Sequence, residues 1–91
     1  MKQKSVMIKL DHGLEARPVA MLVQVASRHN STVYLEAEGK KVNAKSIMGM
    51  MSLGLDNGEM VNVIADGSDE EEAIFSIEEY LSGNHQAAAV Q

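Results

Sequence analysis

Three segments of the chain alternate apolar and polar side chains with the period of two that belongs to an extended strand. Val6, Ile8 and Leu10 share one face of residues 4–10, with Ser5, Met7 and Lys9 on the other. Val33 and Leu35 alternate with Tyr34 and Glu36, and Val61, Val63 and Ala65 oppose Asn62 and Ile64. Successive strand side chains point to opposite faces, so the pattern predicts a sheet with one face buried throughout and the last strand covered on one or both. Residues 32–43 read as a hairpin, because TVYLEA is followed by a turn at Glu38-Gly39 and KKVNA can return beside it. An apolar sheet face has to be covered, and the intervening segments supply the cover.

In those segments the period lengthens to that of a helix. Pro18 falls in a first helical turn, where proline is tolerated, and Ala20, Val23 and Ser27, with Val19 and Ala26 beside them, follow helical spacing. A second, short helix is predicted over residues 47–52, with Ser46 as its N-cap. Gly49 in its interior weakens it by roughly 1 kcal/mol relative to Ala. Ser68 and Glu71 match a capping box, Asp69 and Glu70 suit a first turn, and Ala73, Ile74, Ile77 and Leu81 form a buried stripe that Gly83 ends. The order β-α-β-β-α-β-α predicts an α+β two-layer sandwich, one domain over residues 1–83 and a loose tail at 84–91.

Composition removes several classes of function. The 91 residues suffice for one small domain. Cysteine is absent, which excludes disulfides, thiolate nucleophiles and the usual structural zinc sites. A net charge of -5 and a pI near 5.0 disfavour nucleic acid, whose binding rests on cations neutralising phosphates. A locally basic face stays open, since Lys2, Lys4, Lys9, Arg17, Lys40, Lys41 and Lys45 all lie in the first half and Asp69–Glu72, Glu78 and Glu79 crowd the second. No stretch resembles a leader or a membrane span, so a soluble, cytoplasmic protein is expected.

The stretch LDHGLEARPVAM at 10–21 places His12 and Glu15 at a helix entrance. Local chemistry permits an acid/base pair, half a metal site or a solvated entrance. A metal needs three or four converging ligands, and His29 and His85 belong to other elements, so the solvated entrance is the simplest reading. Asp69–Glu72 lacks the ligand spacing of a calcium loop and reads as a first turn serving the helix dipole. Ser46 is either a plain cap or a phosphorylation switch, because a phosphoserine adds about -1.5 to -2 charge beside a positive helix end. Met48, Met50, Met51 and Met60 fall close together. Thioether side chains suit adaptable partner surfaces, and helical spacing cannot send Ile47, Met48, Met50 and Met51 all inward. Core packing claims Met50 and Leu53.

GLEARP at 13–18 resembles the active centre of HPr, the phosphocarrier of the bacterial sugar phosphotransferase system, which has histidine where this chain has Glu15. KKVNAKSIMGMMSLGL at 40–55 resembles the HPr regulatory-serine motif, with Ser46 in the phosphoacceptor place. The resemblance covers about residues 1–82. It implies a four-stranded antiparallel sheet of order 1-4-2-3 with three helices on one face. The family's histidine relays phosphate from enzyme I, so Glu15 is a degenerate active-site position and sugar phosphotransfer is expected to be lost.

Family members that lack the histidine and keep the serine form the Crh (catabolite repression HPr) subgroup, which the chain resembles through NAKSIMGMMSL. Crh usually has glutamine there, so Glu15 departs from that subgroup as well and adds a negative charge. The resemblance implies a regulatory protein without cofactor or enzymatic activity, phosphorylated on Ser46 by HPr kinase/phosphorylase. The phosphoprotein would act as corepressor of catabolite control protein A, a LacI-type repressor, with Arg17, Ile47, Met48 and Met51 at the contact. Alternatives are a phosphocarrier using His12 or an acylated Glu15, and an interaction protein indifferent to phosphorylation. The first strand lies at a sheet edge in this topology, which leaves both a monomer and a strand-swapped homodimer open.

Overall fold

The structure, a computed structural model, describes residues 1–10 and 13–83. His12, His85 and the predicted tail lie outside the described residues. The elements run β1 (Lys2–Met7), α1 (Ala16–Ser27), β2 (Thr32–Ala37), β3 (Lys40–Asn43), α2 (Ile47–Met51), β4 (Met60–Asp66) and α3 (Glu70–Leu81). All pairings are antiparallel and the sheet order is β1-β4-β2-β3, as the family resemblance implies.

Alternation decides which sheet face is covered. Val6, Val33, Leu35, Val61, Val63 and Ala65 are buried in one cluster with Val19 and Leu22 of α1, Met50 of α2 and Ile77 and Leu81 of α3. α3 lies over β1 and β4, α2 lies beside β3, and α1 packs against both other helices. On the opposite face Asn62 donates to Gln3 Oε1 at 2.7 Å and the Lys41 ammonium sits 4.7 Å from the centre of the Tyr34 ring. Ile64 is also buried, although it points to this outer face, where its register neighbours are Gln3 and Tyr34.

Three sequence expectations shift in the structure. The first strand, predicted over 4–10, spans Lys2–Met7. Ile8 and Leu10 keep the buried phase of the alternation, but Ile8 bonds to the loop before β4 through Glu59 O and Gly58 N, and Lys9 N donates to Leu81 O at 2.7 Å. The buried face of α1 is Val19, Leu22, Val25 and Ala26, whereas Ala20 and Val23 are half-buried and Ser27 is exposed. Both sets repeat at helical spacing, and the set containing leucine, with more surface to bury, faces the core.

The third shift is at the start of α3. Ser68 and Glu71 form no capping box, the N-cap is Asp69, and Glu70 Oε1 instead accepts from Gly67 N at 3.1 Å. Asp69 turns its carboxylate away from its own helix and across to the α1–β2 connection. It accepts from Asn30 N and Ser31 N, each at 2.9 Å, and from Ser31 Oγ. The Ser31 hydroxyl above all, then the Asn30 amide, holds the Asp69 carboxyl well below the usual carboxylate range, against the opposing effect of burial. The stripe Ala73, Ile74, Ile77 and Leu81 is buried as predicted.

The β2–β3 turn has Glu38 at φ 51 and Gly39 at φ 78, the two positive φ values of a type I′ hairpin turn. A left-handed conformation costs an ordinary L-residue roughly 1–2 kcal/mol, which asparagine partly avoids. Glu38→Asn is therefore expected to raise the melting temperature by a few degrees, measured by calorimetry.

Asp69 sets a pH dependence. A carboxyl depressed in the folded state stabilises it above the unfolded-chain value near 3.9, and that contribution is lost as pH falls below it. Asp69→Asn should be less stable than the parent at pH 7 in urea titrations, with the gap constant down to about pH 5 and closing below about pH 4.

Candidate functional site

The connection into α1 is held by backbone. Gly13 N donates to Leu10 O and Leu14 N to Leu55 O, both at 2.9 Å, and Leu14 is buried. Gly13 has φ 63, and a Cβ there would lie 2.6 Å from Leu55 O, so no other residue fits this turn. Glu15 follows as the N-cap in extended conformation. Its carbonyl accepts from Val19 N at 2.9 Å, while its side chain makes no capping bond and is exposed.

First-turn amides of a helix lack intrahelical acceptors, and Pro18 has no N–H to offer. The amides of Ala16 and Arg17 remain, a positive end that favours an anion. Tyr80 Oη donates to Pro18 O at 3.1 Å and pins this turn to α3. Burial pushes the Tyr80 phenol up. Glu15 thus stands where an anion is favoured, on a framework whose shape does not depend on its side chain.

Ser46 is the N-cap of α2. Its backbone is extended and its Oγ accepts from Gly49 N at 3.2 Å. Gly49 weakens this five-residue helix but leaves room over the hydroxyl, since a Cβ at 49 would sit 3.2 Å from Ser46 Oγ. At the other end Lys40 Nζ donates to Ser52 O at 3.3 Å. Met50 is fully buried and Leu53 packs partly against the core, as predicted.

The residues around Ser46 point outward. Met48 is 84% exposed, Ile47 43% and Met51 44%. Arg17 is exposed on α1, which packs against α2. Met21, one turn beyond Arg17, is a further exposed methionine on α1, 43% exposed. Sequence reasoning did not single it out, although its four-residue spacing from Arg17 is the signal that places both on one helix face.

The α1 entrance, with its carboxylate, is bonded through Leu14 to Leu55 beyond the end of α2, whereas the α2 entrance, with its capping serine, is bonded through Lys45 to His29 beyond the end of α1. The family described as "PTS HPr component phosphorylation site" matches residues 2–83. The chain belongs to the HPr family. Its relatives include the HPr-like protein Crh of Bacillus subtilis, 52% identical over 81 residues that cover 89% of this chain and 95% of Crh. Among solved structures, HPr-C-His from Thermoanaerobacter tengcongensis aligns with a TM-score of 0.89 at 46% identity, covering 94% of this chain and 97% of that one. A crystal structure of Bacillus subtilis Crh, described as a domain-swapped dimer, aligns with a TM-score of 0.73 at 52% identity, covering 89% and 93%. This HPr-like chain thus combines the family's sheet order with a carboxylate at position 15.

The Ser46 cap has a measurable contribution. Ser46→Ala should lower stability by about 1 kcal/mol in urea titration, the usual loss for removing a serine N-cap.

Proposed function

We propose that this protein is a regulatory binding module of carbon catabolite repression and not an enzyme. Its signal is phosphorylation of Ser46 by HPr kinase/phosphorylase, and its phosphorylated form is the corepressor of catabolite control protein A. The observation that carries the reading is the Ser46 hydroxyl at the head of α2, directly followed by the exposed side chains of Ile47, Met48 and Met51. Phosphorylation adds about -1.5 to -2 charge and three strong acceptor oxygens there. Arginine or lysine on a partner forms charge-assisted bonds to that group, while the methionines and Ile47 supply adaptable apolar area. Arg17, exposed on the adjoining α1, is the further residue we assign to the contact.

Glu15 leaves the module without a phosphocarrier role. A carboxylate becomes a useful phosphoryl acceptor only with strong cationic support, and Arg17 is solvent-exposed. None of the described helices is long and apolar enough to cross a membrane, which suits a cytoplasmic setting. β1 is an edge strand, and a relative described as a domain-swapped dimer makes exchange of β1 between two copies a reasonable second state beside the monomer.

Incubation with HPr kinase/phosphorylase and ATP should add one phosphate by mass spectrometry, absent in Ser46→Ala. Catabolite control protein A should bind the phosphoprotein and not the unmodified chain. Labelling by enzyme I and phosphoenolpyruvate that disappears in His12→Ala would overturn the reading in favour of a phosphocarrier.

A further inference from the structure

The residue before Ser46 is tied to a distant part of the fold. Lys45 Nζ donates to the carbonyl of His29 at 2.9 Å, reaching the connection between α1 and β2. The peptide unit that contributes this carbonyl also contributes the N–H of Asn30, which donates to Asp69 Oδ2 at 2.9 Å. One peptide group therefore lies between an ammonium on its oxygen and a carboxylate on its nitrogen. Such an arrangement polarises the amide and strengthens both bonds cooperatively. The His29 side chain fixes the unit in place, with Nε2 3.1 Å from Ser76 Oγ and Nδ1 3.4 Å from Asp69 Oδ2, both on or beside α3.

Lys45 is held at its own backbone as well. Its N–H donates to Asn43 Oδ1 at 2.8 Å and Ser46 N donates to Asn43 O at 3.0 Å, which forms the turn that presents Lys45 and Ser46 side by side. Among the described residues Lys45 makes no ion pair, so its ammonium is partnered by a neutral carbonyl. The bond to the carbonyl has one ionised partner, and a phosphate acceptor adds the attraction of a second, opposite charge. A phosphate appearing on the neighbouring residue competes for this cation on favourable terms.

We propose that Lys45 is a transferable cation: it rests on the His29 carbonyl while Ser46 is unmodified, and moves to the phosphate when Ser46 is phosphorylated. The move releases the His29–Asn30 peptide from its ammonium and weakens the Asn30 bond to Asp69. A charge placed on α2 is thereby read at the start of α3 without any change in the sheet. The inference rests on Ser46 being the modified residue.

Phosphoserine introduced at position 46 by codon suppression tests the relay independently of any kinase, so failure of the kinase assignment and failure of the relay are separate results. In amide NMR spectra the Asn30 proton should move upfield and exchange faster in the phosphoprotein. The Ser31 amide, whose peptide oxygen Lys45 does not touch, should move less. Lys45→Gln keeps a donor for the carbonyl but loses the charge, and should abolish the Asn30 response. Lys45→Arg should restore it. An Asn30 amide that does not respond to phosphoserine, or responds equally in Lys45→Gln, overturns the proposal.

Discussion

Everything in this fold follows from a sheet whose helices cover only one of its faces. Val33, Leu35, Val61, Val63 and Ala65 present a continuous apolar surface that must be taken out of water, and the outer face of polar groups around Asn62 needs no cover. All three helices are drawn to the same side. The β1-β4-β2-β3 order then places α3 over β1 and β4 and leaves α1 and α2 in contact. That contact sets the two helices side by side, with the head of α1 bonded to Leu55 beyond α2 and the head of α2 bonded to His29 beyond α1.

The two entrances are built differently. At α1 the geometry is carried by Gly13, Leu14 and Pro18, through backbone bonds and a left-handed turn, so the residue at 15 changes the charge of the site without changing its shape. At α2 the serine is itself part of the geometry, because its oxygen caps the helix that displays Met48 and Met51. A modification at 46 would therefore act on the element that exposes Met48 and Met51. A substitution at 15 acts on what the surface repels or attracts. Under the proposed function, the carboxylate at 15 and a phosphate at 46 would be a fixed and a switchable anion on adjoining helices.

Much of the fold was legible in the amino-acid pattern. The alternation in residues 33–35 and 61–65, the Glu38-Gly39 turn and the Ala73–Leu81 stripe are each determined by neighbours within a few residues. The phase of α1 was not, since Ala20/Val23/Ser27 and Val19/Leu22/Ala26 repeat equally well and only the core, by taking up Leu22, distinguishes them. Capping of α3 was misplaced for a related reason. Asp69 spends its carboxylate on Asn30 and Ser31, partners 39 and 38 residues away, and no local pattern announces them. The Ser46 cap and the outward-facing side chains after it were readable from spacing, while the exposure of Met21 depends on how α1 packs.

The chain's own residues settle the secondary structure, the family and the identity of the groups at 15 and 46, because these depend on side-chain type and short-range periodicity. Tertiary structure alone decides which groups meet. Pro18 is pinned by Tyr80, Asp69 is claimed by the α1–β2 connection, and Lys45 reaches the His29 carbonyl. The physical reason is the same in each case: a buried or half-buried polar group takes the partner that folding brings within hydrogen-bond distance, and that distance is set by packing on the covered face of the sheet.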